Sequence, residues 1–464
     1  MTKRISTLAL LPLLLAGCSM APEYQAPATG IADRYAQAST GTAAAPLADL
    51  GWRDFFLDEG LRGLIDQALV QNHDLLVATA NVERARALYR VERSAQLPTV
   101  GIAGTGTRSR VNEPQKQISS QYQASVGVTA FELDFFGRVR SLSDAALESY
   151  FATAAARETA RLALVAEVAN AYLTLLADRE QLALTQRTFD AQKESYDLVK
   201  LAFDRGARSM LELRQAETTL ETARADHAAF RRQVAQDENA LTLLVGSPVS
   251  VAADKVLGDD GALLVPGLPE GLPSDLLTRR PDIAQAEHSL RAANANIGAA
   301  RAAFFPRISL TSALGTASTS LSGLFEGGTK VWSVGADASL PIFDFGRNEA
   351  NLDVARADRD IAVANYQGAV RTGFREVADA LAARSTLDDQ VAAQAALVAA
   401  TRETYTLSQA RYDRGVDNYL QVLDAQRSLY AAESGLIVLR QQRLSNLVTL
   451  YKALGGGVSD RAPA

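Results

Sequence analysis

The only thiol of the chain lies near its N-terminus, behind a short apolar segment. The tetrapeptide LAGC ends at Cys18 and follows Lys3, Arg4 and the apolar run 8–16, which is too short to cross a bilayer as a helix. The tetrapeptide resembles a bacterial lipobox, where a diacylglycerol thioether forms on the cysteine and the peptide is cut before it. The alternative is a buried structural cysteine. We expect lipidation at Cys18.

This interpretation fixes the start and charge of the mature chain. Residues 1–17 are expected to be removed as a signal peptide, and Ser19, in place of an aspartate, favours delivery to the outer membrane. Loss of the two basic residues of the signal takes the formal charge from −6 to −8. A chain this acidic is disfavoured as a nucleic-acid partner, which usually needs a basic face.

Little else in the sequence could support catalysis or bind a metal. One cysteine excludes disulfides within the chain and sites with several cysteine ligands. The three histidines, His73, His227 and His288, each stand alone on a predicted helix. A glycine-rich phosphate loop, a nucleophile elbow and a paired metal motif are all missing from the sequence. We therefore expect no enzyme activity, no cofactor and no metal site.

Two long stretches lack the residues that end helices. Residues 138–205 contain neither Gly nor Pro, and residues 347–414, also 68 long, contain no Pro and two Gly. Each stretch ends in Asp-Arg, a Gly follows it, and a shorter stretch of 39 residues comes next, 207–245 and 416–454. At 1.5 Å rise per residue, this predicts helices of about 100 Å and about 60 Å. Their apolar stripes could form a simple coiled-coil seam, but wide alanine-rich arcs favour packing against neighbours on two sides.

A strand-like sequence pattern precedes each long helix. Residues 97–110 and the segment 122–138 alternate apolar with small or polar residues, and residues 305–318 and the segment 331–347 do the same. Pro98 and Pro306 are 208 residues apart, and Gly137 and Gly346 are 209 apart. The sequence therefore predicts a tandem duplication in which each half carries two strands, a long helix and a shorter helix.

The predicted strands have the length that crosses an outer membrane when tilted. Four strands cannot close a barrel, since the smallest membrane barrels need about eight. An open sheet edge in lipid leaves backbone groups without partners. If the strands lie in a membrane, several chains must share one barrel; a soluble sheet of two hairpins is the alternative. Trp332, at the start of the fourth strand, is expected near a membrane interface.

Several motifs together resemble the outer membrane factors of tripartite efflux systems, the TolC and OprM-like lipoprotein channels. They are WRDFFLDEGLRGLIDQALVQNHDL at 52–75, the two FGR strand-to-helix junctions, TRRPDI at 278–283, and the turns FDRG and YDRG. The resemblance covers essentially the whole mature chain. It implies a mainly α fold with membrane β: a trimeric twelve-stranded barrel, four strands per chain, continued by a periplasmic α-helical barrel that tapers shut, with a mixed equatorial domain.

The resemblance also assigns the segments of the chain. Residues 18–60 are expected to form the lipid anchor and a linker to the equatorial domain, residues 61–245 the first repeat, and residues 246–280 an equatorial connection. Residues 281–454 would form the second repeat and residues 455–464 a C-terminal tail. TRRPDI is interpreted as a junction between the equatorial domain and the helix that begins at Pro281.

The resemblance implies a gate at the periplasmic mouth. Asp424 matches an acidic position that forms a ring, while Gln421 stands where a second acid sometimes occurs. Tyr412 matches an aromatic residue that holds neighbouring helices shut, but its usual basic partner falls on Asp417, which departs from the pattern. Glu212 falls on the acidic position of the first turn. The alternative for each charged residue is a solvated helix face.

The two Arg-Gly turns are candidates for docking. Gly206 and Gly415 would reverse the chain with a backbone conformation that is unfavourable for residues with a side chain. Arg205 and Arg414 could bind a carboxylate, although capping the preceding helix is favoured. Six such turns in a trimer would give a ring of pseudo-sixfold character, on which a periplasmic adaptor protein with a repeated tip could dock.

The function implied is a passive export duct in the outer membrane, lipid-anchored and with a periplasmic extension. Its partners would be two further copies of the chain, a periplasmic adaptor, an inner-membrane transporter and outer-membrane lipid. Drugs, toxic compounds or ions would be selected mainly by the transporter. The alternative is a periplasmic adaptor or scaffold lipoprotein without a channel. An adaptor would be expected to have one hairpin and a soluble β-rich domain, so two hairpins and four strands favour the duct.

Overall fold

The computed structural model describes residues 19–32, 35, 50–110, 118–252, 255–257, 263–264 and 279–456. The predicted signal peptide, Cys18, most of the segment 246–280 and the last eight residues lie outside the described residues. The elements of the described part follow in chain order: α1 Trp52–Phe55, α2 Glu59–Gln71, α3 His73–Ser94, β1 Val100–Arg110, β2 Ile118–Glu132, α4 Arg138–Asp204, α5 Met210–Val245, α6 Pro281–Ala302, β3 Arg307–Ser318, β4 Lys330–Ser339, α7 Arg347–Asp413 and α8 Tyr419–Ala453.

The described residues belong to two compact units. One unit draws on residues within 1–28, 80–155 and 284–369, and it contains all four strands. The other draws on residues within 29–79, 156–283 and 370–464, and it contains both turns between long and shorter helices. Each unit is therefore assembled from segments of both sequence repeats.

The helix pairs confirm the predicted mainly helical architecture. α4 and α7 are each 67 residues long and end one residue before the predicted Arg205 and Arg414. α5 and α8 begin at Met210 and Tyr419, three residues later than the sequence pattern predicts. The helices start later because a polar residue before each one acts as its N-cap and fixes its first turn.

The strands form one antiparallel sheet in the order β1-β2-β3-β4. All four predicted strands are present, and each hairpin pairs within its own repeat. β2 also pairs with β3, which joins the two repeats side by side. The β2–β3 register shifts between Val128 and Phe131, where Ala130 has a φ of 51°. This is a β-bulge, an extra residue in one strand that bends it locally.

The sequence motif 52–75 builds the core of the second unit. Phe55 and Phe56 are fully buried, and Phe55 stacks on Tyr451 of α8 with ring centroids 4.4 Å apart. Asp58 is also buried and caps α2 by accepting a hydrogen bond from the Leu61 N–H at 2.8 Å. A charge-assisted contact of this kind compensates the carboxylate for lost water.

The TRRPDI motif fixes a junction through one buried arginine. Arg280 pairs with Asp282 at 2.7 Å and with Glu376 at 2.8 Å, and it donates to the Ala453 carbonyl at 2.8 Å. Three partners satisfy a guanidinium that burial would otherwise make unfavourable. The arginine therefore holds the start of α6 against α7 and the end of α8.

The described segment after Cys18 lies against α6 in the first unit. Asn294 donates to the Pro22 carbonyl at 2.7 Å, and Arg291 lies 4.8 Å from the ring centroid of Tyr24. The Tyr24 hydroxyl also donates to Glu287 at 3.2 Å. Main-chain and side-chain contacts together fix residues 22–24 on this helix.

Candidate functional site: the two interhelical turns and the helix starts that follow them

The first turn ends α4 with a specific backbone pattern. Gly206 has a φ of 75°, and its N–H donates to the Phe203 carbonyl at 2.8 Å. The next N–H, of Ala207, donates to the Ala202 carbonyl at 2.8 Å. These two bonds form a Schellman motif, in which glycine takes the left-handed position after the helix. The predicted chain reversal at Gly206 is thus the structure of this turn.

The second turn repeats the pattern at the end of α7. Gly415 has a φ of 73°, its N–H donates to the Tyr412 carbonyl at 2.9 Å, and Val416 donates to Arg411 at 3.0 Å. Within the described structure, a Cβ placed on Gly206 or Gly415 would meet no atom closer than 4 Å. Backbone conformation, and not crowding, is therefore what requires glycine in this chain.

The two arginines of the turns face solvent. Arg205 and Arg414 are both exposed and lie just beyond the last helical residues, Asp204 and Asp413. Their charges stay near the helix C-termini, where a cation is favoured. Exposure also leaves both guanidinium groups accessible to a partner.

Glu212 has a structural role that the sequence analysis missed. It accepts from the Ser209 N–H at 2.8 Å, while Ser209 Oγ accepts from the Glu212 N–H at 3.3 Å, which completes a capping box at the start of α5. The Ser209 N–H, and secondly the serine hydroxyl and Arg208, hold the pKa of Glu212 below its usual value. The spacing Ser-x-x-Glu is the signal that could have revealed this cap.

Arg208 joins the two turns. Its guanidinium carbon lies 4.8 Å from the centroid of the Tyr412 ring, and it also pairs with Glu212 at 3.1 Å. A cation over an aromatic face is attracted by the ring quadrupole. Arg208, from the first repeat, thus makes a basic contact with Tyr412, whereas the position that the resemblance assigns to such a partner holds Asp417. Arg208 is the residue 209 positions before Asp417.

Asp417 makes a different contact. Its carboxylate accepts two hydrogen bonds from Arg411, at 2.6 Å and 3.0 Å. These bonds and the arginine charge lower the pKa of Asp417. The pair stabilises the second turn locally and does not involve Tyr412.

A cluster of buried apolar side chains lies beneath both turns in the second unit. The buried members come from α4, α5 and α8, and Tyr412, Phe203, Tyr196 and Tyr405 pack against them. The buried cluster comprises Val199, Leu213, Ala216, Tyr419, Val422 and Leu423. The Tyr419 hydroxyl is 2.8 Å from Ser195 Oγ, and burial raises the pKa of Tyr419. The two turns are thus fixed on one common core.

Asp424 lies on α8 directly after this core. Its side chain is 59% exposed, although Val422, Leu423 and Ala425 around it are buried. Arg427 lies one turn further along the helix, with its Nη1 3.8 Å from Asp424 Oδ1. An exposed pair this long contributes roughly 0–1 kcal/mol, so it leaves the carboxylate largely available. The structure thus presents an accessible acid beside the packed turns.

A pair of carboxyl groups between α4 and α5 was not predicted. Burial, and then a hydrogen bond and repulsion from Asp237, raise the pKa of Asp178 to about 7. Gln233 Nε2 donates to Asp237 Oδ1 at 2.9 Å. A carboxyl group with a raised pKa between two packed helices makes their contact sensitive to pH.

The three histidines are placed separately. His288 Nδ1 is 2.6 Å from Glu148 Oε2, and His227 stacks with Phe189 at a centroid distance of 6.2 Å. His73 begins α3. In the part of the chain that the structure describes, no three His, Cys, Asp or Glu side chains converge as metal ligands.

Comparison with known families gives a match to the family described as "Outer membrane efflux protein". Residues 64–247 and 272–456 match. Each matched segment contains one strand hairpin, one 67-residue helix and one shorter helix. The matches therefore follow the internal duplication and cover most of the chain.

Individual relatives match along almost their whole length. The antibiotic efflux pump outer membrane protein ArpC of Pseudomonas putida is 46% identical over 466 residues, which is 98% of this chain and 96% of the relative. A toluene efflux pump outer membrane protein of Pseudomonas putida, TtgC, has the same identity and coverage. The crystal structure of the open state of the Neisseria gonorrhoeae MtrE outer membrane channel is 41% identical, covers 95% of this chain and 99% of that one, and has a TM-score of 0.86.

Proposed function

The chain belongs to the outer membrane efflux protein family and is the outer-membrane channel component of a tripartite efflux system, and we propose that it works as a passive homotrimeric duct. The alternative of an adaptor or scaffold without a channel is not favoured, because ArpC is named an efflux pump outer membrane protein and MtrE an outer membrane channel, and both match over almost their whole length. Transport would be driven by the inner-membrane transporter, since the duct itself carries out no chemistry in this proposal.

One observation carries the homotrimer: the sheet has four strands and two exposed edges. Every residue of β1 and of β4 is exposed, whereas β2 and β3 are partly covered. In a bilayer, unpaired edge groups must find partners, and closure into a barrel provides them. Three chains supply twelve strands, the number that the family resemblance implies.

We place the gate at the packed helix starts. Three copies of Asp424 near the axis would attract cations and repel anions, while the narrow opening limits flow. Tyr412 would hold the second turn closed through Arg208, which is itself oriented by Glu212. Opening would then separate Tyr412 from Arg208 and move the helix that carries Asp424.

The two turns would bind the periplasmic adaptor. Arg205 and Arg414 are exposed at equivalent positions, and the space beside Gly206 and Gly415 is open among the described residues. A repeated adaptor tip would meet similar backbone and charge at each turn. The arginine charges favour acidic or carbonyl-rich partners at that tip.

Anchoring at Cys18 would add a second attachment to the membrane. The contacts of residues 22–24 with α6 leave only a short segment between the cysteine and the folded part. A single lipidated cysteine attaches a protein to a membrane much less strongly than an inserted barrel does. The anchor would therefore help localisation and not be required for it.

The exported compounds would be small molecules delivered by the transporter and adaptor. Relatives are named for antibiotic efflux and for toluene efflux, so drugs and toxic apolar compounds are the proposed classes, with ions as a further class. Purified protein in planar bilayers tests the duct itself. We expect small, cation-selective conductance steps; a folded, inserted protein that never conducts would rule out a duct.

A further inference from the structure

The internal duplication specifies how the two exposed edges of the sheet meet. We propose that β4 of one chain pairs with β1 of the next chain in the same register in which β2 pairs with β3 inside one chain. This inference rests on the proposed shared barrel and adds the residue pairs at its seams. The proposal requires that the pairing of β1 with β2 corresponds to the pairing of β3 with β4.

The two hairpins have equivalent registers. In the first hairpin Gly104 faces Ala124, and in the second Ser312 faces Val334. The β3 residue is 208 positions after its β1 counterpart, and the β4 residue is 210 positions after its β2 counterpart. The same two offsets hold along the paired strands. The pairing fixes only the sum of these two offsets, and the 208-residue spacing of Pro98 and Pro306 assigns 208 to β1 and β3, which leaves 210 for β2 and β4.

The bulge explains why the offset changes along the second strand of each repeat. β2 carries an extra residue near Ala130, whereas the β3–β4 register has no such shift. Past the bulge the offset falls from 210 to 209, which is the spacing of Gly137 and Gly346. The alternation along β2 and β4 is thereby brought into the same phase, with Tyr122 equivalent to Trp332.

The β2–β3 pairing then defines the seam. Val126 faces Leu314 within one chain, which places Ala336 opposite Gly106 of the neighbouring chain. Beyond the bulge, Phe131 faces Leu310, which places Leu340, the residue after β4, opposite Ile102 of the neighbouring chain. Both positions belong to one continuous antiparallel register, although they come from opposite sides of the bulge.

Transferring a contact between the two repeats to the seam between two chains also accounts for an exposed aromatic residue. Phe136 stacks on Phe305 with centroids 4.6 Å apart, a contact between the two repeats. Their counterparts are Phe345, 90% exposed, and Leu97, 70% exposed. Phe345 also has a φ of 57°, which is rare for a bulky side chain and occurs where the position is fixed by its surroundings. In the seam, Phe345 would cover Leu97 of the neighbouring chain.

Near the start of β4, the proposed seam places apolar and aromatic side chains opposite arginines of the neighbouring chain. The register places Val334 opposite Arg108 and Trp332 opposite Arg110 of the neighbouring chain. Directly opposed side chains have Cβ atoms about 4.5–5.5 Å apart. A guanidinium beside the exposed Trp332 indole would form a cation–π pair.

Disulfide trapping tests the register in the full-length protein in outer membranes. Val334→Cys with Arg108→Cys is the matched pair, and Val334→Cys with Gly106→Cys or with Arg110→Cys is shifted by two residues on the same face. Opposed strand positions satisfy disulfide geometry, whereas shifted positions lie outside it. β1 and β4 of one chain are three strand spacings apart, about 14 Å, so a disulfide must join two chains.

We expect covalent trimer on non-reducing gels from the matched pair, at least fivefold above either shifted pair. Each single variant is the control for products that involve Cys18. Ala338→Cys with Gly104→Cys repeats the test at a second position, should the first pair fail to insert. A shifted pair that gives the strongest product, or an intact trimer that gives none, overturns the register and leaves the shared barrel. Monomer in every variant and in the unmodified protein contradicts the shared barrel itself.

Discussion

Arg208 and Tyr412 come from different repeats, 204 residues apart, and they meet with the guanidinium carbon 4.8 Å from the ring centroid. The contact links the end of α7 to the residue before the α5 cap. Because it holds one turn against the other, its removal should favour any state in which the turns separate.

Removing Arg208 should loosen the closed state. Arg208→Ala deletes the stacking and the ion pair with Glu212, a loss of about 0.5–1 kcal/mol, so open probability in planar bilayers should rise about two- to fivefold. Arg205→Ala is the matched control, since it removes an exposed arginine of the same turn. Equal effects of both substitutions would show that only the charge of the turn matters.

Asp424 should control ion preference. Asp424→Asn removes the charge and keeps the size, so cation selectivity should fall while conductance changes little. Asp424→Ala removes both and should also raise conductance, and Tyr412→Ala should have the smaller effect. Asp389→Asn, an exposed acid on α7, is the control. Unchanged selectivity and conductance in both Asp424 variants would assign the residue to a solvated helix face.

Gly206 and Gly415 should affect docking more than assembly. Asparagine tolerates the left-handed conformation, so Gly206→Asn adds a side chain to the open surface with little backbone strain. Adaptor binding should weaken while trimer yield stays near that of the unmodified protein. Gly206→Val should reduce both, since it strains the turn by about 1–2 kcal/mol. A parallel loss of trimer and binding in the asparagine variant would mark these positions as folding residues.

Asp178 should make stability depend on pH. Its pKa is raised to about 7 in the folded chain, above its unfolded value, so the folded state holds the extra proton. The stabilisation is present below about pH 4 and is lost as the pH rises towards 7. Asp178→Asn should remove the change of stability across this pH interval, and the variant should be more stable than the unmodified protein at pH 8. Denaturation curves across the interval measure it, with Asp197→Asn as the exposed control on the same helix.

Cys18 should carry the lipid without being essential for insertion. Cys18→Ala should abolish incorporation of radiolabelled fatty acid and slow removal of residues 1–17. Because the barrel would still hold the protein in the membrane, the variant should remain in outer-membrane fractions. Continued labelling of the variant would show that the thiol is not the lipidation site.

The helices could be located from the sequence because glycine and proline mark their ends. α4 and α7 end one residue from the predicted positions, and Gly206 and Gly415 take the expected conformation. Strand alternation likewise located all four strands, since successive side chains of a strand point to opposite faces of the sheet.

What the sequence pattern missed are contacts between helices that are distant along the chain. Arg208 reaches Tyr412, and Asp178 reaches Asp237, only once the helices are packed. The bulge at Ala130 was also missed, since its extra residue shows only when the pairing register is known. Of the proposed gate residues, Glu212 could have been identified as a cap from its spacing to Ser209.

The shared barrel is the central claim, and the mass of the native protein tests it most directly. Full-length protein extracted from outer membranes in mild detergent should have three times the mass of one chain, and heating should convert it to monomer. A folded monomer in the same detergent, with its helices intact by circular dichroism, would contradict a barrel built from several chains.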